Sequence, residues 1–181
     1  LVSSLLTWEK TQTLNLGLDV TMLNNRLNVN FDYFQRKSKD MVGPAPELPA
    51  ILGTGVPKVN NLDMTSKGWE LQISWRDRIK DFSYGATLSL ADSRVVIDKY
   101  PNPSKSLSQT YYEGSHLGDL WGYQTVGIAK TEAEMQNHLG TLTAGGQTAI
   151  GSNWGAGDIM YADLNGDKKI DKGSNTVADH G

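Results

Sequence analysis

The stretch from Gly68 to Ala91, GWELQISWRDRIKDFSYGATLSLA, constrains the chain most. Trp69, Leu71, Ile73 and Trp75 alternate with Glu70, Gln72, Ser74 and Arg76. After the polar group Asp77–Asp81, Phe82, Tyr84, Ala86, Leu88 and Leu90 alternate with Ser83, Gly85, Thr87, Ser89 and Ala91. Side chains of a strand point to opposite faces with period two, so each run offers an apolar face and a polar one. A short polar connection between two such runs predicts a hairpin. Each run is roughly 9–11 residues, the length with which a tilted strand crosses a bilayer, and aromatics near the run ends suit an interfacial girdle. A hairpin of a soluble sandwich would also be apolar on one face, so this stretch leaves both settings open.

A first hairpin repeats the pattern. Leu14, Leu16, Leu18, Val20 and Met22 share one face, and Leu27, Val29, Phe31 and Tyr33 follow on the return strand. Asn24-Asn25 supplies the turn, because Asn tolerates positive φ. Asn28, Asn30 and Asp32 are poor strand formers in alternate positions, which predicts a face that meets water. The connections alternate short and long. Asn24-Asn25 and Asp77–Asp81 are short, whereas Lys37–Lys67 and everything after Asp92 are long. Compact soluble domains seldom carry such loops, while outer-membrane barrels pair short periplasmic turns with long extracellular loops. The expected architecture is therefore all-β, with antiparallel strands of a large transmembrane β-barrel that this chain completes only in part. It divides into a hairpin at 7–36, a long extracellular loop at 37–67, a hairpin at 68–91 and a second long loop region at 92–181.

Composition agrees without deciding. The mean hydropathy of -0.42 excludes a helical membrane protein but not a barrel, half of whose strand residues are polar. A net charge of -3 argues against a nucleic-acid partner. The absence of Cys removes disulfides, thiol catalysis and zinc-thiolate sites. The chain opens on Leu1-Val2 without an initiating Met, as expected of a piece of something longer.

The first long loop holds four of the six prolines, Pro44, Pro46, Pro49 and Pro57, which stiffen a segment that cannot join a ladder. Asn60–Asp63 then reads as a turn. Further on, Tyr111, Tyr112, Trp121 and Tyr123 serve either as a stacking platform for sugar rings or as packing anchors of a long loop. Thr131, followed by Glu132 and Glu134, predicts the N-terminus of a short helix.

The sharpest local motif is DLNGDKKID. Asp163, Asn165, Asp167 and Asp171 at positions one, three, five and nine, with the Lys169 carbonyl at seven, match the front half of an EF-hand-type Ca2+ loop (163–174). Position six is Lys168 instead of Gly and position twelve is Ser174 instead of Glu, so calcium binding is expected to be weak. His116, His138 and His180 lie far apart, and none sits in an HExxH frame. No nucleophile elbow or phosphate loop is present. The carboxylates Glu70, Asp77 and Asp81 are better explained by strand ends and a turn than as an acid/base pair, and the chain reads as a non-enzyme.

Six segments, in order, carry a family resemblance: TWEKTQTLNLGLDV (Thr7–Val20), LNNRLNVNFDYFQRKSKDM (Leu23–Met41), LPAILGTGVPKVNN (Leu48–Asn61), TSKGWELQISWRD (Thr65–Asp77), YYEGSHLGDLWGYQTVG (Tyr111–Gly127) and GDIMYADLNGDKKID (Gly157–Asp171). Together they resemble the barrel region of SusC/RagA-type TonB-dependent outer-membrane transporters of Bacteroidetes. The resemblance implies a parent barrel of about 22 strands with a plugged lumen. It also implies a SusD-like surface lipoprotein as lid, TonB acting through a plug outside this chain, and a glycan or peptide as substrate. In the family the turn often runs DLNGDGKID with a further acidic residue soon after, from which Lys168 and Ser174 depart. The rival reading is a soluble, β-rich cell-surface glycan-binding module stabilised by calcium.

Overall fold

The computed structural model describes residues 6–44, 58–143 and 146–181. They form two compact units. One holds the described residues up to Pro101 together with Glu113–Gly118; the other holds Asn102–Tyr112 and Asp119–Gly181.

The first unit is a four-stranded antiparallel sheet in the order β1 (Lys10–Met22), β2 (Leu27–Val42), β3 (Asn60–Ile79) and β4 (Phe82–Lys99). The register stacks the apolar positions into continuous rows. Leu16 faces Tyr33, which faces Trp69; Leu18, Phe31, Leu71 and Leu90 form the next row; Val20, Val29, Ile73 and Leu88 the next; Met22, Leu27, Trp75 and Ala86 the last shared by all four strands. Ile79 opposite Phe82 closes the band beside the turn. From Trp69 to Ile79 is ten steps at about 3.3 Å, and with a strand tilt near 40° the band stands about 25 Å tall, matching the lipid-facing height of membrane barrels. The band is not buried: Leu18 is 59% exposed and Leu88 54%. Leaving a side chain of this kind in water forgoes about 1.5–3 kcal/mol relative to burying it.

The opposite face is polar. Asp19, Asn30, Gln72 and Ser89 form one row, and Thr21, Asn28, Ser74 and Thr87 the next. Cross-strand hydrogen bonds knit it: Asn30 Nδ2 donates to Asp19 Oδ1 at 2.5 Å, Thr21 Oγ1 to Asn28 Oδ1 at 2.9 Å, and the Ser74 and Thr87 hydroxyls lie 3.1 Å apart. On this face Phe34 lies over Gly68, where an added Cβ would come within 2.5 Å of the ring.

The strands are longer than the sequence pattern suggests. The hairpin expected at 7–36 runs to Val42, and that expected at 68–91 spans Asn60–Lys99, so much of the loop assigned to 37–67 is strand. The second turn shrinks to Lys80-Asp81. Asn60–Asp63 is not a turn but the start of β3. Its side chains take over ladder bonding at a register shift between Ser38 and Met41: Asp63 Oδ1 accepts from Asp40 N at 2.8 Å, and Asn61 Oδ1 accepts from Gly43 N at 3.0 Å. Asp40 sits there at φ 57°, a bulge conformation that Asp tolerates. Pro46, Pro49 and Pro57 lie outside the described residues. At the far edge, Glu113–Gly118 begins a fourth pairing, on β4: Ile97 N donates to Ser115 O and Leu117 N to Val95 O, both at 2.9 Å.

The second unit is the smaller of the two. It joins β5 (Thr125–Ile128) to β6 (Ile159–Tyr161) in an antiparallel pair beside the helix α1 (Glu132–Thr141). Thr131 caps the helix by accepting from Glu134 N at 3.2 Å, and the Glu134 carboxylate accepts from Lys130 N, one residue before the cap, at 2.7 Å. Ala129, Met135 and Met160 form its core, with Leu139 and Trp154 packed against them. Gln147, fully buried, joins the pieces: its Oε1 accepts from Tyr161 N at 2.8 Å and its Nε2 donates to Ile159 O at 3.3 Å.

Candidate functional site

The turn singled out from the sequence is held by its own carboxylates. Asp163 Oδ1 accepts from Gly166 N and its Oδ2 from Lys168 N, both at 2.7 Å. Asn165 Oδ1 accepts from Asp167 N at 3.0 Å, and Asp167 Oδ1 from Lys169 N at 2.8 Å. These Asx turns wind the chain tightly about its own side-chain oxygens. Lys168 takes φ 65° in the place where a glycine is expected, which costs on the order of 1–2 kcal/mol. Asp171 acts separately, accepting from Gly173 N at 2.7 Å.

Sequence reasoning missed Asp179. Its carboxylate accepts from Asn165 Nδ2 at 3.1 Å, Ser174 N at 2.8 Å and Ser174 Oγ at 2.5 Å. Ser174, the position left without a carboxylate, thus recruits one from five residues on. Hydrogen bonds from the Ser174 and Asn165 side chains lower the Asp179 pKa from an ordinary 3.8 to about 2. The sequence reading placed Ser174 where the family resemblance implies a further acidic residue, and gave no signal for Asp179. The turn therefore gathers Asp163, Asn165 and Asp167 with the Lys169 backbone, tied to Asp179. Among the described residues, no group of three or more His, Asp or Glu side chains is arranged to hold a metal ion. Calcium needs six to eight oxygens, and this turn supplies part of that set.

The aromatic residues of the second unit meet edge to face or, for Tyr112 and Trp121, at a tilt. Trp121 and His180 have ring centroids 5.1 Å apart, Tyr112 and Trp121 6.5 Å, and Tyr123 and Tyr161 5.7 Å. Trp121, Tyr123, Lys172 and His180 line a cleft of about 240 Å³. Edge contacts are those of packing anchors, while half-exposed Trp121 keeps part of its ring free for stacking.

The remaining candidates are structural. His138 Nε2 lies 2.9 Å from Gln147 Oε1, and His180 Nδ1 donates to Val177 O at 3.2 Å. His116 faces Val96 across the edge pairing. Asp77 is engaged by Arg26 and by the Tyr84 hydroxyl, each at 3.3 Å, and Asp81 lies 3.8 Å from Arg78.

An antiparallel sheet with a band of exposed apolar rows on one face, hydrogen-bonded polar rows on the other, and short turns at one end defines a piece of a membrane β-barrel wall. Residues 3–179 match the model of the family described as "TonB dependent receptor-like, beta-barrel", and the chain belongs to that family. Its members are outer-membrane β-barrels and transporters, not enzymes. Among curated relatives, the chain is 29% identical to "TonB-dependent receptor P3" of Formosa agariphila over 91% of its own length, and 22% identical to "TonB-dependent receptor P39" of the same organism, also over 91%. It spans 17% and 18% of those relatives. Among solved structures it resembles one titled "Structure of the RagAB peptide transporter", with a TM-score of 0.56 and 27% identity over 69% of this chain and 14% of that one. A second, the RagAB peptide importer in its "closed-closed" state, shares the fold with a TM-score of 0.54 over 92% of this chain and 18% of that one.

Proposed function

We propose that this chain forms adjoining strands of the wall of an outer-membrane, TonB-linked importer of large nutrients, either peptides or glycans, that works with a SusD-like surface lipoprotein. The observation that carries this reading is the apolar band, four strands wide and about 25 Å tall, beside a polar face suited to a wet lumen. Four strands leave two edges and cannot close a barrel, so the remaining wall is supplied by other segments of the receptor. The short turns at Asn24-Asn25 and Lys80-Asp81 face the periplasm, and the long connections face outward. The peptide assignment draws support from the RagAB titles and the glycan assignment from the half-exposed Trp121. TonB would act through a plug that is not in this chain.

The test is fractionation of the source membranes with an antibody against this chain, with samples run boiled and unboiled. A large outer-membrane band whose mobility shifts on boiling, and which brings down a surface lipoprotein, is expected. A small soluble band without a shift would favour the rival, a soluble β-rich glycan-binding module.

We also propose weak calcium binding at the 163–174 turn, through Asp163, Asn165, Asp167, the Lys169 carbonyl and Asp171. The alternate-oxygen spacing supports it, and Asp179 stands close enough to Asn165 and Ser174 to add a carboxylate. Calcium-dependent protection of this turn in hydrogen exchange, abolished by Asp163→Asn, is the expected result.

A further inference from the structure

Above the apolar band, on the same face, the sheet changes character. Beyond the Tyr33–Trp69 row come Gln35, Lys67 and Arg94, and then Lys37, Thr65 and Val96. These residues line a groove of about 500 Å³. Lys67 and Arg94 stand directly opposite each other on β3 and β4. Like charges in that position repel and weaken the strand pair unless an anion lies between them. Arg94 is relieved in part by Asp92, 3.8 Å away. Asp98, the other carboxylate in the groove, accepts from the Thr65 hydroxyl. Among the described residues Lys37 and Lys67 have no ion-pair partner. They are diagonal neighbours on adjacent strands, on the order of 7–8 Å apart at Cβ, so one anion can take a hydrogen bond from each.

The opposite end of the same face lacks this feature. There the outward positions are Met22, Leu27, Trp75, Asp77, Ile79, Phe82 and Tyr84, and Arg26, the cation that reaches them, is already matched by Asp77, which also accepts from the Tyr84 hydroxyl. Lys37 and Lys67, which lack an ion-pair partner among the described residues, therefore lie at the rim marked by Tyr33 and Trp69. Tyr and Trp mark the depth at which acyl chains give way to headgroups. An occupant of this groove must be anionic at the top and continuous with hydrocarbon below, which describes a lipid and not a soluble solute or the lid protein.

We propose that Lys37 and Lys67, with Arg94, hold the phosphorylated headgroup of an outer-leaflet lipid against the outside of the barrel. This rests on the importer reading, which places the groove at the outer rim. Two ammonium groups would share the phosphate oxygens, and the Tyr33 and Trp69 rings would set the depth of the glycerol or sugar unit beneath. Basic pockets beside membrane-spanning segments recognise headgroups in this way.

The test uses the intact receptor that carries this chain, reconstituted in phosphatidylcholine nanodiscs doped with diphosphoryl lipid A. Insertion into the discs reports on the barrel reading by itself. Native mass spectrometry then counts the lipid A retained when the discs are stripped. The inserted wild type is expected to keep lipid A, and Lys37→Gln/Lys67→Gln to lower its apparent affinity about tenfold or more. Lys130→Gln, in the other unit, should leave it unchanged. Inserted wild type and double variant retaining equal amounts would overturn the proposal while leaving the barrel intact. Displacement of lipid A by millimolar inorganic phosphate would overturn the lipid assignment, because the site would then recognise free phosphate. A receptor that does not insert would sink both readings.

Discussion

The two units solve opposite solvent problems with one chain. In the second unit a small apolar core points inward, where Met135 and Ala129 are fully buried. In the sheet, the apolar rows point outward and stay exposed, while hydrogen-bonded polar rows cover the other face. The first arrangement is stable in water. The second is stable where the surroundings are hydrocarbon, since only there does an exposed Leu18 or Leu88 cost nothing. Burial counted over the whole chain would hide this, because the sheet is as regular as any soluble sheet.

Substitutions break the comparison from either side. In the second unit, Met135→Ala opens a cavity in a core with few other members, and a loss of about 2–5 kcal/mol is expected. Hydrogen exchange in the intact receptor should show faster exchange across α1 and β6, with β1–β4 unchanged. In the sheet, Leu88→Arg places a charge on the apolar band and should cost about 2–4 kcal/mol of folding into lipid, read by denaturant titration in liposomes. Its neighbour Ser89→Arg, on the polar face, should cost less than about 1 kcal/mol; equal effects would remove the distinction between the faces.

Smaller effects sharpen the picture of the second unit. Thr131→Ala deletes the helix cap and should destabilise α1 by about 1 kcal/mol, again visible in local exchange. Asp179 supplies a pH test. A depressed carboxylate pKa contributes stability that is present above the ordinary value and lost as pH falls through the folded one. The ties from Asn165 and Ser174 to Asp179 should therefore persist below pH 3.8 and loosen only near pH 2. A carboxyl titration by NMR in the intact receptor with a midpoint near 3.8 would show that those hydrogen bonds are not maintained.

The strands were legible where one face is apolar, since Leu14–Met22 and Trp69–Trp75 alternate visibly. Their outer ends were not. At Lys37–Lys39 and Thr65–Lys67 both faces are polar, so the ladder continues without an alternating signal. Asn60–Asp63 misled for a related reason: side chains that favour turns in isolation serve here as substitutes for ladder bonds at the Asp40 bulge. The helix was legible because its cap, Thr131 with Glu134, is a local hydrogen bond. In the candidate metal turn the Asp163–Asp167 oxygens were legible from spacing. Asp179 was not, because its link to Ser174 depends on a backbone path that no periodicity encodes.

One face of β4 meets lipid and the other meets water. Single cysteines at Leu88, Ser89, Leu90 and Ala91, positions in a chain that has no cysteine of its own, test it in intact outer membranes. Alternation is expected: positions 89 and 91 labelled by a membrane-impermeant thiol reagent added with access to the lumen, and 88 and 90 shielded from it but quenched by a lipid-borne probe once labelled. Uniform labelling of all four by the water-soluble reagent, with no quenching from lipid, would contradict it.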